Sequence, residues 1–599
     1  MAPRSLMALA AAHRDGSIDP EQTLAELYEA IAARGDDGVW ISVLPKDEAL
    51  AEVRRQMARA NAGEDLPLLG VPFAVKDNID VAGLATTAGC PAYAYEPEAD
   101  AFAVAKLREA GALPIGKTNL DQFATGLSGT RTPHTIPHSV FSAEHVSGGS
   151  SSGSAVAVGA GLVPFSLGTD TAGSGRVPAG LNNIVGVKPS RGLLSGRGAV
   201  PACQSLDCIS IFAKTASEAD FVRRIAQGLD QADPFSRAPA ETGLELERPV
   251  IGVPSPESRI FCGDSEAQAL YQAALEKAAE LGWQLVEIDY TPLSEIAQLL
   301  YGGPFVAERY AAVGAFVDAH PDAVNPVVGK IVSDAKAWSA ADLFDGLKTL
   351  AAAQREMLER WQKIDALLLP TAPTAPTIAT MLDDPVRLNS ELGTYTNFVN
   401  LLDCAAIAVP AGFRPSGMPF GVTLVGPAFS DADLAHLGDR LHRAISPETG
   451  GARLPLTEDT ALTPAVPQGW IEIAVVGAHL KGQPLNHQLT DWKGRFLRTT
   501  RTDPHYRLYA LADTTPPKPG LAYDASFEGA GIELEIWALP AEGFGSFTAS
   551  IPAPLGIGKV SLQDGGTVSG FLCEPRGLDG ATEITEFGGW RAYLASRQA

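Results

Sequence analysis

Apolar residues recur at spacings of three and four over residues 20–62, with Leu24, Leu27 and Ile31 on one stripe and Leu50, Val53 and Met57 on another. That spacing predicts amphipathic helices. From residue 66 the texture changes. LLGVPFAVKDNIDVAG is a short apolar run closed by turn residues, which suits a buried strand and its exit loop. AFAVAKLREAG reads as a helix stopped at Gly111, and LPIGKTN as the next strand and loop. The alternation continues through helical stretches near 265–282 and 340–363 and the strand-like DALLLP and DCAAIAVPAGF. It predicts an α/β fold, a mixed-sheet core with helices on both faces.

Two stretches break the rhythm. Gly and Ser crowd into VSGGSSSGSAVAVGAGLVPFSLGTDTAGSGRVPAG, yet the run is too apolar for a solvated linker and predicts packed core with close backbone approaches. Residues 446–469 are rich in Pro, Gly and Thr without a sustained period, as a linker would be. Beyond them WIEIAVVGAHL, IELEIWALP and GKVSLQDGGTVSGFL alternate in the β manner. The expected division is a domain over 1–460, its helical N-terminal part over 1–62, and a small β-rich domain over 470–599.

The chain has 599 residues, 45% of them hydrophobic and 19% charged, an ordinary globular composition with ample core. Its formal charge of −24 argues against nucleic-acid and anionic-membrane partners. A small anionic substrate stays compatible, because a site can carry its own Arg or Lys. Cys90, Cys203, Cys208, Cys262, Cys404 and Cys573 form no CxxC pair and no zinc-like cluster with His, so they read as free thiols in a reducing compartment. No stretch reaches the roughly 18 apolar residues of a membrane span. MAPRSLMALAAAHRDG suits an amphipathic helix better than a signal peptide. A cytoplasmic enzyme is the expectation, and no motif calls for a metal, nucleotide or biotin cofactor.

Three serine motifs offer chemistry. Gly149–Gly153 is a formal G-x-S-x-G centred on Ser151, but a nucleophile elbow needs a strand before it and a helix after it, and Gly/Ser-rich chain surrounds this one. Ser333–Lys336 is a formal S-x-x-K with no KTG downstream. The third motif is larger. It joins Lys76 in GVPFAVKDNIDVAG, the serines of SGGSSSGSA, and Ser174 in GTDTAGSGRVPAG, with IGKTN at 115–119, DALLLPTAP and NLLDCAAIAVPAGF in order along 66–430. This pattern resembles the amidase signature family.

The resemblance implies a Ser–Ser–Lys triad with Ser174 as nucleophile, Ser150 as bridging serine after a cis Gly149–Ser150 peptide, and Lys76 as base. The chemistry is coherent. A serine hydroxyl needs a base, and a lysine serves only when burial keeps it neutral. Lys76 ends an apolar strand, although a snorkelling strand-end lysine has the same pattern. Thr171, Ala172, Gly173 and Ser174 would offer backbone N–H groups as an oxyanion hole. Asp170 and Arg176 are expected to pair and hold that loop, and Asp77 and Asp80 to serve turns. The ten histidines show no triad arrangement.

The block KTNLDQFATGLSGTRTP and Tyr301 with Arg309 in YGGPFVAERY resemble the allophanate hydrolases within that family. The resemblance implies that Gly126, Tyr301 and Arg309 bind allophanate, a small anionic amide, and that its hydrolysis yields ammonia and CO2. A guanidinium suits a carboxylate, although a surface arginine and a core tyrosine would also fit the pattern. VGAHLKGQPLNHQL and GIELEIWALP resemble the C-terminal domain of allophanate hydrolases, itself similar to γ-glutamylcyclotransferase-like barrels. That implies a decarboxylating histidine at His487, or a role in assembly; Asn486 and His487 would equally cap a strand end, and Glu535 sit in one. The family resemblance further implies a homodimer, and a separate urea carboxylase or a cyanuric-acid-type pathway as supplier. A transamidating glutaminase subunit, another amidase-signature amidase and a noncatalytic scaffold are the other readings. Intact Lys76, Ser150 and Ser174 speak against the scaffold.

Overall fold

The two N-terminal stripes fold as helices Pro20–Arg34 and Lys46–Asn61 in a computed structural model that describes residues 5–457, 462, 466, 469–512 and 514–597. Asp19 caps the first by accepting from the Glu21 amide, and Pro20 opens its first turn. Leu24, Leu27 and Val53 are buried against Leu113 and Ile115 of a strand and against Ala155–Val158 of a third helix. The apolar run before His13 is helix Leu6–Arg14.

The sheet beneath them has eleven strands. Val71–Lys76 lies between Ala112–Thr118 and Phe165–Asp170, parallel to both. Cys208–Ala213 and Val185–Lys188 follow antiparallel, and then Cys404–Phe413 and Pro419–Pro427. Ala366–Pro370, Val250–Pro254 and Gln284–Ile288 follow on one side, and Trp40–Val43, antiparallel to Ala112–Thr118, makes the eleventh strand at the other edge. Near-total burial explains why the inner strands read as continuous apolar runs rather than alternations, whereas the edge strand Gln284–Ile288 is largely exposed. A second core joins Leu367, Leu369 and Val425 to Tyr290, Leu350, Tyr395 and Phe398 from the helical segments after residue 288.

The Gly/Ser-rich stretch is core. It forms helix Ser152–Gly159, buried at every position, and strand Phe165–Asp170, likewise buried. Small side chains let the helix lie tight on its neighbours: any side chain at Gly153 would overlap the Val39 carbonyl and the Asn119 amide.

The chain forms two compact units. The second comprises 463–599 together with the four residues Gly243–Leu246, which a single cut between 460 and 470 does not anticipate. Within it a five-stranded sheet runs Arg495–Arg501, Glu533–Pro540, Trp470–Val475, Thr567–Cys573, Leu555–Ser561, beside a three-stranded sheet. Helix Ala541–Ala549 is buried through Phe547 and was not signalled by the alternating pattern. Of the linker expected at 446–469, residues 458–461, 463–465, 467 and 468 lie outside the described residues. Among the described residues no helix is long and apolar enough to cross a membrane.

Candidate active site

Every side chain of Val71–Lys76 is buried, and Lys76 is at its end with no exposure to solvent, so it does not snorkel. Its Nζ lies 2.8 Å from Ser150 Oγ and 2.7 Å from Thr169 Oγ1, the latter on the neighbouring parallel strand. Burial pulls its pKa from 10.5 down to about 7, against the opposing pull of the Asp121, Asp207 and Asp170 carboxylates. A neutral amine has one lone pair and two N–H bonds. It can take a proton from Ser150 while donating to Thr169.

The peptide between Gly149 and Ser150 is cis. Gly149 sits on the carboxylate of Asp121 with no room for a Cβ. That carboxylate accepts from the amides of Gly129 at 2.9 Å and Arg131 at 2.8 Å. Ser151, the centre of the G-x-S-x-G match, is not poised for attack. Its hydroxyl is buried, donates to the Thr169 carbonyl at 3.1 Å and accepts from the Thr169 amide at 3.3 Å.

Asp170 organises the loop that carries Ser174. Its buried carboxylate receives two bonds from Arg176, both at 2.9 Å, and accepts from the amides of Gly173 at 2.9 Å and Gly175 at 3.0 Å. This corrects the expected oxyanion hole: the Gly173 amide is committed to Asp170. The amides of Thr171, Ala172 and Ser174 have no hydrogen-bond partner among the described residues and are free to meet an oxyanion. Gly173 has φ +130°, and a Cβ there would overlap the Thr396 side chain. Ser174 Oγ also lacks a partner among the described residues, and the residue is 3% exposed.

Arg309 lies on helix Ala307–Ala319, 1% exposed, so it is no surface arginine. It donates from Nη1 to Thr125 Oγ1 and from Nη2 to Tyr301 Oη, both at 2.9 Å, with its guanidinium 4.8 Å from the Tyr301 ring centre. Among the described residues no carboxylate pairs with it, and its Nε has no partner. A buried guanidinium held by two neutral hydroxyls has no paired counter-ion, and the Asp207 and Glu308 carboxylates act on it only from beyond bonding distance. It also stands close enough to Lys76 to help lower the lysine's pKa. Gly126 follows Thr125 directly, packed against Asp121, and the next amide, of Leu127, donates to Asn389 Oδ1 at 2.7 Å.

Two residues here escaped the sequence reading. Thr169 is one. Asp207 is the other, a half-buried carboxylate that accepts from the Thr171 hydroxyl and, at 2.8 Å, from the Ala202 amide. Burial pushes its pKa up to about 6. Both line a cavity of about 360 Å³ with Gln204, Ser205 and Arg237. Asp80 accepts from Thr86 and Tyr95, and Asp77 does more than serve its turn: it accepts from Thr87 and Gly89 and also pairs with the buried Lys117 at 3.3 Å.

In the second unit His487 is exposed, with Nδ1 3.0 Å from the Pro484 carbonyl, and does not line the cavity nearby. His479 does. That cavity, of about 300 Å³, also takes in Gln488, Lys518 and Phe571. His479 bonds Gln488 Oε1 at 2.9 Å through Nε2 and stacks on Phe571 at 5.0 Å; burial holds its pKa below the usual value. Glu535 is a buried brace, holding Arg591 at 2.6 Å, the Lys481 amide at 2.8 Å and Trp537 Nε1 at 3.0 Å. Among the described residues no three His, Cys, Asp or Glu side chains gather as metal ligands.

A buried, neutral-leaning lysine on a cis-serine, with a second serine in a loop of free amides, holds the parts that amide hydrolysis needs. The chain belongs to the amidase family, whose model matches residues 23–435. The model of the allophanate hydrolase C-terminal domain matches residues 471–595. Among solved structures, the Kluyveromyces lactis allophanate hydrolase superposes with a TM-score of 0.87 at 40% identity, covering 99% of each chain. The urea amidolyase of Saccharomyces cerevisiae is 45% identical over 572 residues, 93% of this chain and 31% of that one. The chain thus spans about a third of the length of the yeast urea amidolyases it matches. A glutamyl-tRNA(Gln) amidotransferase subunit of Roseiflexus castenholzii is 33% identical over 431 residues, 66% of this chain and 86% of that one.

Proposed function

We propose that the chain hydrolyses allophanate. The carrying observation is Arg309, a buried guanidinium without a carboxylate partner among the described residues, set near Lys76. It fits a substrate with a carboxylate at one end and an amide at the other. Ser174 Oγ attacks the terminal carboxamide carbon and its proton passes through Ser150 to Lys76. The amides of Thr171, Ala172 and Ser174 receive the oxyanion. Lys76 returns the proton through Ser150, the C–N bond breaks and ammonia leaves. Water, deprotonated by the same relay, then cleaves the acyl ester and releases an N-carboxycarbamate. Tyr301 and the backbone at Gly126 complete the grip on the carboxylate end.

The N-carboxycarbamate loses CO2, and the His479 cavity is where we place that step; assembly is the other role for this unit. The presence of a C-terminal unit of the allophanate hydrolase type favours this reading over a glutaminase subunit. The yeast relatives, named urea amidolyases, support a carboxylating enzyme as supplier of substrate.

The test is ammonia release from allophanate, urea, malonamate and glutamine, with Ser174→Ala as background. Allophanate should be the substrate. Release from glutamine and none from allophanate would sink the proposal. For the second unit, His479→Ala should leave ammonia release intact and let a carboxylated product accumulate, visible by carbon NMR at high pH. The same result from His487→Ala alone would move the step to that residue, and from neither would leave assembly.

A further inference from the structure

The two ends of the proposed site, the oxyanion segment and the carboxylate anchor, are tied to one short loop, 202–207. At one end of the loop Asp207 takes the Thr171 hydroxyl. Two residues earlier, Ser205 holds Glu308, the residue before Arg309: its amide donates to Glu308 Oε1 at 2.6 Å and its hydroxyl to Oε2 at 2.8 Å. The loop that carries both is a closed turn. The amides of Leu206 and Asp207 both donate to the Cys203 carbonyl at 2.8 Å, and those of Ala202 and Cys203 fold back on the Asp207 carboxylate. It is also fastened from outside. Arg191 donates to the Ser205 carbonyl at 3.1 Å. Asn400 Nδ2 bridges the Leu206 carbonyl at 2.9 Å and the Asp170 carbonyl at 2.7 Å, and so reaches the loop of Ser174 as well.

We infer that the loop 202–207 is a spacer that fixes the separation between the attacked carbon and the carboxylate anchor, and thereby selects substrates by length. Asp207 and Ser205 are its two positioning residues. Neither is a member of the triad or the anchor; Asp207 also acts on both by its charge, holding up the pKa of Lys76 and of Arg309, and Thr171→Val separates that effect from the hydrogen bond. A rigid spacer suits a substrate of few atoms, because a small misplacement of the reacting carbon costs rate out of proportion to the hydrogen bond removed. Asp207 acts on the end where charge develops, and its loss is felt in the transition state. Ser205 acts on the end that captures the carboxylate, and its loss is felt in binding.

The two residues therefore predict opposite kinetic signatures, an inference that rests on the proposed substrate. Asp207→Asn keeps the shape, but its amide cannot accept from Thr171 and from the Ala202 and Cys203 amides together. It should lower kcat for allophanate roughly tenfold to a hundredfold while leaving the inhibition constant of malonate near that of the wild type. Ser205→Ala should instead raise KM for allophanate and the malonate inhibition constant together, by more than it changes kcat. Should Asp207→Asn fail to fold, Thr171→Val removes the same hydrogen bond from the other side and should show the same fall in kcat. A spacer at work would also make Ser205→Ala relatively more permissive of succinate, one methylene longer than malonate. The inference is overturned if the variants lose kcat and KM in the same proportion, or if the malonate-to-succinate ratio does not move. If the wild-type enzyme neither cleaves allophanate nor binds malonate, it is the functional proposal that fails.

Discussion

Replacing Lys76 by methionine separates the two consequences of burying an amine. The side chain keeps its length and loses its titration. An exposed lysine titrates at 10.5 and this one at about 7. Between those values the unfolded chain holds a proton that the folded chain lacks, so stability drains away as pH falls, by about 1.36 kcal/mol per pH unit. The contribution is whole above 10.5, and its loss is complete at and below about 7. At pH 7 it amounts to about 4 kcal/mol. Methionine carries no such burden. Against its gain stand the lost bonds to Ser150 Oγ and Thr169 Oγ1, about 1 kcal/mol each and independent of pH. The difference in unfolding free energy, Lys76→Met minus wild type, should therefore widen by about 3 kcal/mol between pH 9.5 and 7, whatever its offset. Urea unfolding of both proteins at the two pH values reads it, because other titrations cancel in the difference. The variant should release no ammonia, and wild-type kcat/KM should climb through pH 7 to a plateau. Parallel stability–pH curves, or a wild-type rate flat from pH 6 to 8, would refute the assignment of a depressed, catalytic Lys76.

Three further outcomes follow from the same geometry. Arg309→Gln should raise KM for allophanate and weaken malonate inhibition in step, and Arg309→Lys should restore only part, since an ammonium lacks the two-pronged donor set; steady-state kinetics decide this. Asp170→Asn leaves the buried Arg176 without its counter-charge and replaces one of the two acceptor oxygens with a donor, against one loop amide and one guanidinium N–H, so a loss of about 3–5 kcal/mol is expected in denaturant melts, with activity gone under conditions where the fold persists. Gly149→Ala drives a methyl into the Asp121 carboxylate, and the soluble yield and ammonia release should both collapse, whereas Gly329→Ala, in helix Pro326–Asp334 with only Val324 at ordinary contact distance, should cost little in either.

The candidate site was legible as separated blocks along the chain, joined through the resemblance to the amidase signature family. Lys76 ends an apolar run, and Ser150 and Ser174 sit among glycines that only close backbone approach explains. The helices at 20–34 and 46–61 were legible from their stripes, and the buried strands from apolar runs bounded by turns. What was missed depends on pairing across the fold. Thr169 looks like any strand threonine until the parallel register brings it to Lys76. Asp207 looks like a loop acid until Thr171 closes on it. The Gly173 amide looked free because nothing in GTDTAGSG says that Asp170 would turn back to take it. In the tail the resemblance points to His487, and only the packing of His479 against Phe571 and Phe547 shows which histidine faces the cavity.

The four residues Gly243–Leu246 give the molecule an unusual order of assembly. They belong with a unit whose remaining residues begin at 463, and Trp470 lies over Gly243 so closely that no side chain would fit beneath it. Leu244 and Leu246 are 4% and 6% exposed. On a ribosome these leucines emerge long before the strands that shelter them are made, and they must wait, uncovered, while more than two hundred further residues are added. The backbone crosses between the units three times rather than once. Neither unit is therefore a contiguous length of gene. A stop codon near 460 would leave behind a short apolar thread with its shelter removed, and a clean separation of the two units requires that thread to be rewritten as well as the chain to be cut.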